Sequence, residues 1–90
     1  MCTYITAKLA ADGSGKGAEG WFALSEATVY FDHPVHAVAE HTLNIDFRNP
    51  ERGAGARVAV ELSAQTARAL AHAILETLDA VPQDLLETAS

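Results

Sequence analysis

The chain has 90 residues, of which 49% are hydrophobic and 20% are charged, so its composition is that of one globular domain and not of a disordered chain. Its formal net charge of −6 opposes binding to nucleic acid or to an anionic membrane surface. The sequence has a single cysteine, lacks an apolar run of the roughly 20 residues that span a membrane, and shows no signal-peptide pattern. We therefore expect a cytoplasmic protein without nucleic-acid or membrane partners.

Four stretches of the chain alternate apolar and polar residues with a period of two, which predicts half-buried β-strands. The stretch "HTLNIDF", for example, places Leu43, Ile45 and Phe47 on one side. We expect strands at about residues 2–10, 21–32, 41–48 and 57–62.

The segment around the second stretch contains two irregular features. "ADGSGKGAEG" has four glycines in ten residues, which predicts a long hairpin loop. In "WFALSEATVYFD" the apolar positions change phase at Ser25 and Glu26. Because a slip of one residue sends every later side chain to the opposite face, we predict a bulge or a break at this point.

From Ser63 onward the apolar residues recur at spacings of three and four, which predicts an amphipathic helix. Ser63 is a suitable N-cap and Pro82 a suitable stop, so the helix is expected over about residues 64–80. The last residues either add a helical turn or fray. The sequence therefore predicts one α+β domain over residues 1–90, a four-stranded antiparallel sheet with one C-terminal amphipathic helix packed on one face.

The other face of this sheet carries hydroxyls, amides, charges and two aromatic rings. Its expected members are Tyr4, Thr6, Thr28, Tyr30, Asp32, Thr42, Asn44, Asp46, Arg57 and Glu61. This face is either an ordinary solvated face or an interface or ligand surface built on Tyr and Thr. Since a 90-residue domain gains stability by burying more surface, we expect a homodimer or a higher symmetric oligomer.

The stretch "DHPVHAVAEH" concentrates histidines between two predicted strands. His33, His36 and His41 follow the spacing H-x2-H-x4-H, and imidazole is the commonest ligand of transition metals. Three such ligands with one open position form the arrangement of a catalytic zinc site, so a divalent transition metal, Zn, Cu or Fe, is the expected cofactor. Histidines that only form hydrogen bonds in a polar loop remain the alternative.

Three further kinds of residue complete the predicted metal site. Cys2 offers a thiolate, together with a free α-amine if Met1 is removed, or else packs as a small hydrophobic residue. Asp32 is placed to orient an imidazole, and Tyr4 and Tyr30 lie on the ligand-facing side of the sheet. The four predicted metal ligands are thus Cys2, His33, His36 and His41, whereas His72 is expected to be solvated on the helix.

The stretches "MCTYIT", "GSGKGAEGWF", "ATVYFDHPVHAVAEHTLNIDF" and "GARVAVELSAQTARALAHAI" resemble a family of small actinobacterial proteins that form a domain of unknown function, over nearly the full length. The resemblance implies a bacterial cytoplasmic protein and implies no activity. Two hypotheses follow from the residues. The protein is either a small metal-binding protein, with or without enzymatic activity, or a non-catalytic homodimeric interaction module without a metal.

Overall fold

The computed structural model describes residues 5–32 and 41–86. The described residues form six strands and two helices, with a short 3₁₀ turn at Pro50–Arg52. The strands are β1 (Ile5–Ala10), β2 (Ser14–Gly17), β3 (Gly20–Ala23), β4 (Glu26–Asp32), β5 (Thr42–Arg48) and β6 (Arg57–Leu62), and the helices are α1 (Ala64–Ala80) and α2 (Gln83–Leu86).

Four of the strands form an antiparallel sheet in the order β1-β4-β5-β6, which confirms the predicted α+β class. The register sets Val29 of β4 opposite Ala7 and Ile45, and Ile45 opposite Val60. Because alternate side chains point to opposite faces, one face of the sheet is apolar throughout these rows. We call it the apolar face, and its reverse the polar face.

The predicted break in the second strand is confirmed. β3 ends at Ala23 and β4 begins at Glu26, so the single strand expected over residues 21–32 is two strands in two different sheets. The backbone amide of Ser25 donates to the carbonyl oxygen of Arg48, and the carbonyl of Ser25 accepts from the amide of Ala11. These bonds satisfy the backbone at the point where the chain leaves one sheet for the other.

The prediction of a loop over the glycine-rich segment is wrong, because β2 and β3 pair there as an antiparallel hairpin. A Cβ atom on Gly17 would lie 3.1 Å from Cε1 of Phe22, 3.3 Å from the carbonyl oxygen of Gly55 and 3.4 Å from that of Arg57. Glycine therefore serves here to let two backbones approach closely, a known use of glycine within strands. The side-chain amide of Asn49 (Nδ2) also donates to the carbonyl oxygen of Ala23, at 2.8 Å, and so links the hairpin to the connection that follows β5.

Helix α1 spans Ala64–Ala80, as the periodicity predicts. The Ser63 hydroxyl accepts a hydrogen bond from the backbone amide of Thr66 at 3.1 Å, which satisfies one of the free donors at the start of the helix. Beyond Pro82 the chain forms α2, so these residues add a helical turn. No helix within the described ranges has the length and hydropathy needed to cross a membrane.

Candidate functional site

An open cavity of about 840 Å³ lies between α1 and the apolar face of the sheet. Its walls are apolar apart from Arg68 and His72 on α1, and the lining also includes part of Tyr30, whose hydroxyl lies on the opposite face of the sheet beside Asp46. The apolar walls are lined from the sheet by Ala7, Val29, Phe31, Leu43, Ile45 and Leu62, and from the helical side by Ala64, Ala67, Leu70, Ala71, Ile74 and Leu75.

The width of a helix explains why this cavity exists. A helix with its side chains is about 10 Å across and neighbouring strands are about 4.8 Å apart, so one helix covers about two strands. The main sheet contacts of α1 are with β5 and β6. The half of the apolar face formed by β1 and β4 is consequently less closely covered in the described part of the chain, and the open cavity separates it from α1.

The apolar side of α1 is itself uncovered. None of its residues is buried, and Leu70, Ile74 and Leu75 are 43%, 51% and 61% exposed. Among the described residues, the buried hydrophobic side chains are Phe22, Ala27 and Ala56, none of which belongs to α1. The contact between helix and sheet, which supplies the core of most α+β domains, is therefore incomplete among the described residues.

The accessible surface of the whole chain is large for its mass. A compact 9.5 kDa protein exposes roughly 5,000 Å², whereas this chain exposes 6810 Å². Its radius of gyration is 14.7 Å, against about 12 Å for a compact domain of this length. The chain as a whole therefore exposes more surface than a compact domain of its mass.

The polar face contains the most buried polar side chains of the described residues, which are Asp32, Thr42 and Asn44. The Thr42 hydroxyl donates to the side-chain oxygen of Asn44 at 2.8 Å. The register places Tyr30 opposite Asn44 and Asp32 opposite Thr42. Two of the residues that the sequence assigns to the ligand-facing side, Tyr30 and Asp32, thus lie on the same face of β4.

Tyr30 is the centre of a charged cluster on this face. Its hydroxyl donates to Oδ2 of Asp46 at 3.4 Å, and the Arg57 guanidinium donates to Oδ1 of the same carboxylate at 2.9 Å. Burial raises the pKa of Tyr30 above its ordinary value of 10.0, and the charge of Asp46 raises it further, although the charge of Arg57 opposes this. Tyr30 therefore remains a neutral hydrogen-bond donor at physiological pH.

The structure describes two members of the predicted metal site, His41 and Asp32. His41 stacks on Phe31, with ring centroids 5.8 Å apart and an interplanar angle of 13°, and the register places Phe31 on the apolar face beside Leu43. Asp32 lies on the opposite, polar face. The predicted role of Asp32 in orienting an imidazole stays a prediction.

The remaining members of the predicted metal site, Cys2, Tyr4, His33 and His36, lie outside the described residues. Over residues 5–32 and 41–86, no group of three or more His, Cys, Asp or Glu side chains is arranged to hold a metal ion.

Sequence reasoning missed the contribution of the polar side of α1 to the cavity. Arg68 and His72, which the sequence places on the solvated side of the helix, line the cavity together with Leu75. One signal was available. Leu75 interrupts the polar residues of this side at helical spacing, and an apolar residue within a polar stripe indicates that part of the stripe is covered.

Comparison with known proteins gives a family and no activity. A family model described as "Family of unknown function (DUF6295)" matches residues 1–87. No curated protein matches the chain, and neither does any solved structure.

Proposed function

The chain belongs to this family of unknown function, and we propose from its geometry that it is a homodimeric interaction module. Two copies cover each other's open apolar surface, and the shared contact supplies the part of the hydrophobic core that one chain leaves incomplete. The actinobacterial origin implied by the resemblance plays no part in this proposal.

The observation that supports the proposal is that both α1 and the β1–β4 half of the apolar face are open to solvent. Both are apolar, both line the same cavity, and no residue of α1 is buried. Removing apolar surface from water is worth about 25 cal/mol per Å², so surface left open in this way strongly favours association. The exposed apolar side chains of α1, among them Leu70, Ile74 and Leu75, are the surface that a second copy would bury.

A second copy suits the open half of the sheet because it brings a helix of the required width. The open half is two strands wide, which is the width that one α-helix covers. A symmetric pair buries the apolar surface of both chains at once, since a two-fold interface uses the same patch on each partner.

Two alanines of α1 provide the test. Ala71 lines the cavity, whereas Ala73 does not and lies about 200° away around the helix. We expect Ala71→Glu to convert the dimer to a monomer of 9.5 kDa, measured by light scattering coupled to size exclusion. Ala73→Glu adds the same charge at the same helix propensity and should leave the mass at twice that value.

The wild-type chain provides a second readout that needs no variant. Where folding is coupled to dimerisation, the midpoint of thermal unfolding rises with chain concentration. A wild-type chain that stays monomeric at high micromolar concentration, with a midpoint independent of concentration, would overturn the proposal. Equal masses for the two glutamate variants would also contradict it, because the cavity side of α1 would then have no special role.

A further inference from the structure

β1 lies at one edge of the four-stranded sheet. Within residues 5–32 and 41–86, its only strand partner is β4, with which it pairs in one unbroken register from Ile5 to Ala10. The strand at the other edge, β6, is instead contacted by β2 of the hairpin. The described part of the chain therefore leaves one edge of this sheet open, and we call it the outer edge of β1.

The hydrogen-bond pattern identifies the backbone groups on this outer edge. The Ala11 amide donates to the Ser25 carbonyl oxygen at 3.1 Å, in the register that continues the β1–β4 pairing. Hydrogen-bonded and non-hydrogen-bonded pairs alternate along an antiparallel ladder. Counting back from Ala11, every second residue of β1 therefore directs its N–H and C=O groups away from β4. These outward residues are Thr6, Lys8 and Ala10.

β1 lacks the features that usually protect an edge strand. A proline, a bulge or a lysine along the edge discourages a second strand from adding to a sheet. β1 has no proline and no bulge, and the Nζ atom of Lys8 lies 3.5 Å from Oε2 of Glu26 on β4. The charge of Lys8 is thus held over the sheet, while Leu9 is 52% exposed and adds apolar surface to the edge.

We propose that the outer edge of β1 pairs antiparallel with the same edge of a second copy, centred on Ala7, and joins the two four-stranded sheets into one. The two-fold axis is perpendicular to the sheet at Ala7. The two sheets then lie side by side without overlap, with both α1 helices on the same side, each over its own β5 and β6. This pairing uses a different surface from the proposed homodimer and does not depend on it.

The residues of β1 select Ala7 as the centre. An axis at Lys8 would set the two lysines directly opposite each other, and like charges directly opposite destabilise a sheet. Axes nearer either end of β1 would leave at most half of each strand paired. With Ala7 at the centre, residues 5–9 of both chains pair, each Lys8 lies opposite a Thr6, and each Leu9 lies opposite an Ile5. The strand is therefore self-complementary in this register, as a two-fold contact requires.

The pairing satisfies the outward backbone groups and is weak. Thr6 of each chain and Lys8 of the other form hydrogen-bonded pairs, in which both residues exchange their N–H···O bonds. A contact made by residues 5–9 of each chain is smaller than a standard interface of roughly 20–30 residues a side. It therefore associates homodimers only at high concentration, and cross-linking detects it more readily than the mass measured in dilute solution.

Single cysteines in β1 test the register. The chain has one cysteine, so a Cys2→Ser background leaves only the thiol of Ala7→Cys or Leu9→Cys. Ala7 opposes its own copy in a non-hydrogen-bonded pair with a Cα separation of about 4.5 Å, which suits a disulfide. Leu9 lies roughly 14 Å along the strand from its copy. With glutathione disulfide as oxidant, we expect Ala7→Cys to form a covalent dimer at least roughly tenfold faster than Leu9→Cys.

A control on the opposite edge and a change at position 8 test the hydrogen bonds. Ala59→Cys, on the exposed part of β6, should cross-link as slowly as Leu9→Cys. Lys8→Pro removes an outward N–H that the β1–β4 ladder does not use, so circular dichroism should show an intact sheet. Lys8→Gln removes the charge but keeps the N–H. In the Ala7→Cys chain, Lys8→Pro should slow cross-linking roughly tenfold, and Lys8→Gln should leave the rate within about twofold.

Each result decides the inference. Leu9→Cys or Ala59→Cys cross-linking as fast as Ala7→Cys would overturn the pairing centred on Ala7, and so would a folded Lys8→Pro chain that cross-links at the unchanged rate. Adding Ala71→Glu separates this contact from the homodimer. An Ala7→Cys rate that Ala71→Glu leaves unchanged supports the edge pairing even if the homodimer fails, whereas loss of cross-linking in the Ala71→Glu chain would overturn the edge pairing as an independent contact.

Discussion

Replacing Leu75 by alanine measures whether a second chain covers α1. In the single chain Leu75 is 61% exposed, and Leu85 on α2 is 60% exposed but does not line the cavity. The two leucines are thus a matched pair in one protein. They differ in whether the proposed partner contacts them.

The expected cost follows from these exposures. Burying a leucine side chain completely is worth about 1.5–3 kcal/mol, so in a lone chain, where about two-fifths of each side chain is covered, either truncation should cost only about 1 kcal/mol. If a partner covers Leu75, its truncation should cost about 2–3 kcal/mol per chain, because the loss of contacts is then nearly complete and a void is left behind. Leu85→Ala should remain near 1 kcal/mol.

The assay is urea unfolding followed by circular dichroism at several chain concentrations, with the two variants compared at equal m-values. The difference between Leu75→Ala and Leu85→Ala should be largest at high concentration and should shrink on dilution as the dimer dissociates. If Leu75→Ala costs no more than Leu85→Ala at every concentration, no second chain covers Leu75 and the reasoning fails.

Three further predictions concern the hairpin, the polar face and the predicted metal site. Gly17→Ala should destabilise the fold by about 1–3 kcal/mol, because its Cβ would meet the backbone oxygens at 3.3 and 3.4 Å. Gly55→Ala, whose Cβ would meet only side-chain atoms at 3.8–3.9 Å, should be neutral or stabilising by up to about 1 kcal/mol, and the reverse order of unfolding free energies would contradict the hairpin packing. Asp46→Asn should lower the raised pKa of Tyr30 towards 10.0, although burial keeps part of the increase; the titration is followed by tyrosinate absorbance, with Tyr30→Phe identifying the signal of this residue. The stabilisation that Tyr30 contributes is complete below about pH 10 and is lost as the pH rises through its raised pKa. An unchanged pKa in Asp46→Asn would refute the contribution of that carboxylate. If the four predicted metal ligands form a site, the untagged chain should bind Zn(II), Cu(II) or Fe(II) with an affinity that falls as the pH drops through about 6.5, and His72→Ala should leave that affinity unchanged. A melting temperature insensitive to these ions, with no metal in the native protein, would contradict the metal site and favour hydrogen-bonding histidines.

The candidate site was only partly accessible from the sequence. Alternation correctly places Tyr30 and Asp32 on one face of β4 and Leu43 on the other, because the side-chain period of a strand is two wherever the strand lies. The same periodicity places Arg68 and His72 on the side of α1 away from the sheet. That assignment missed the cavity, since a helical pattern indicates which residues share a side but not how far the helix extends across the sheet.

The sequence by itself determined the local elements of this protein. Interactions between residues a few positions apart determine the helix over Ala64–Ala80 with its Ser63 cap, and the break before Glu26. Such local interactions can be predicted directly from the order of the side chains.

Only the tertiary structure decided that the glycine-rich segment is a hairpin and that α1 covers half of the apolar face. From the sequence alone, Gly17 is interpreted as a flexible loop residue. In the structure, the carbonyl oxygens of Gly55 and Arg57 lie 3.3 and 3.4 Å from the position that a Cβ atom of residue 17 would occupy. The uncovered half of the sheet depends on which strands α1 rests against, and contacts between residues distant in sequence leave no trace in local periodicity. Whether a glycine is flexible or closely packed, and whether an apolar surface is core or interface, is set by what lies opposite it in space.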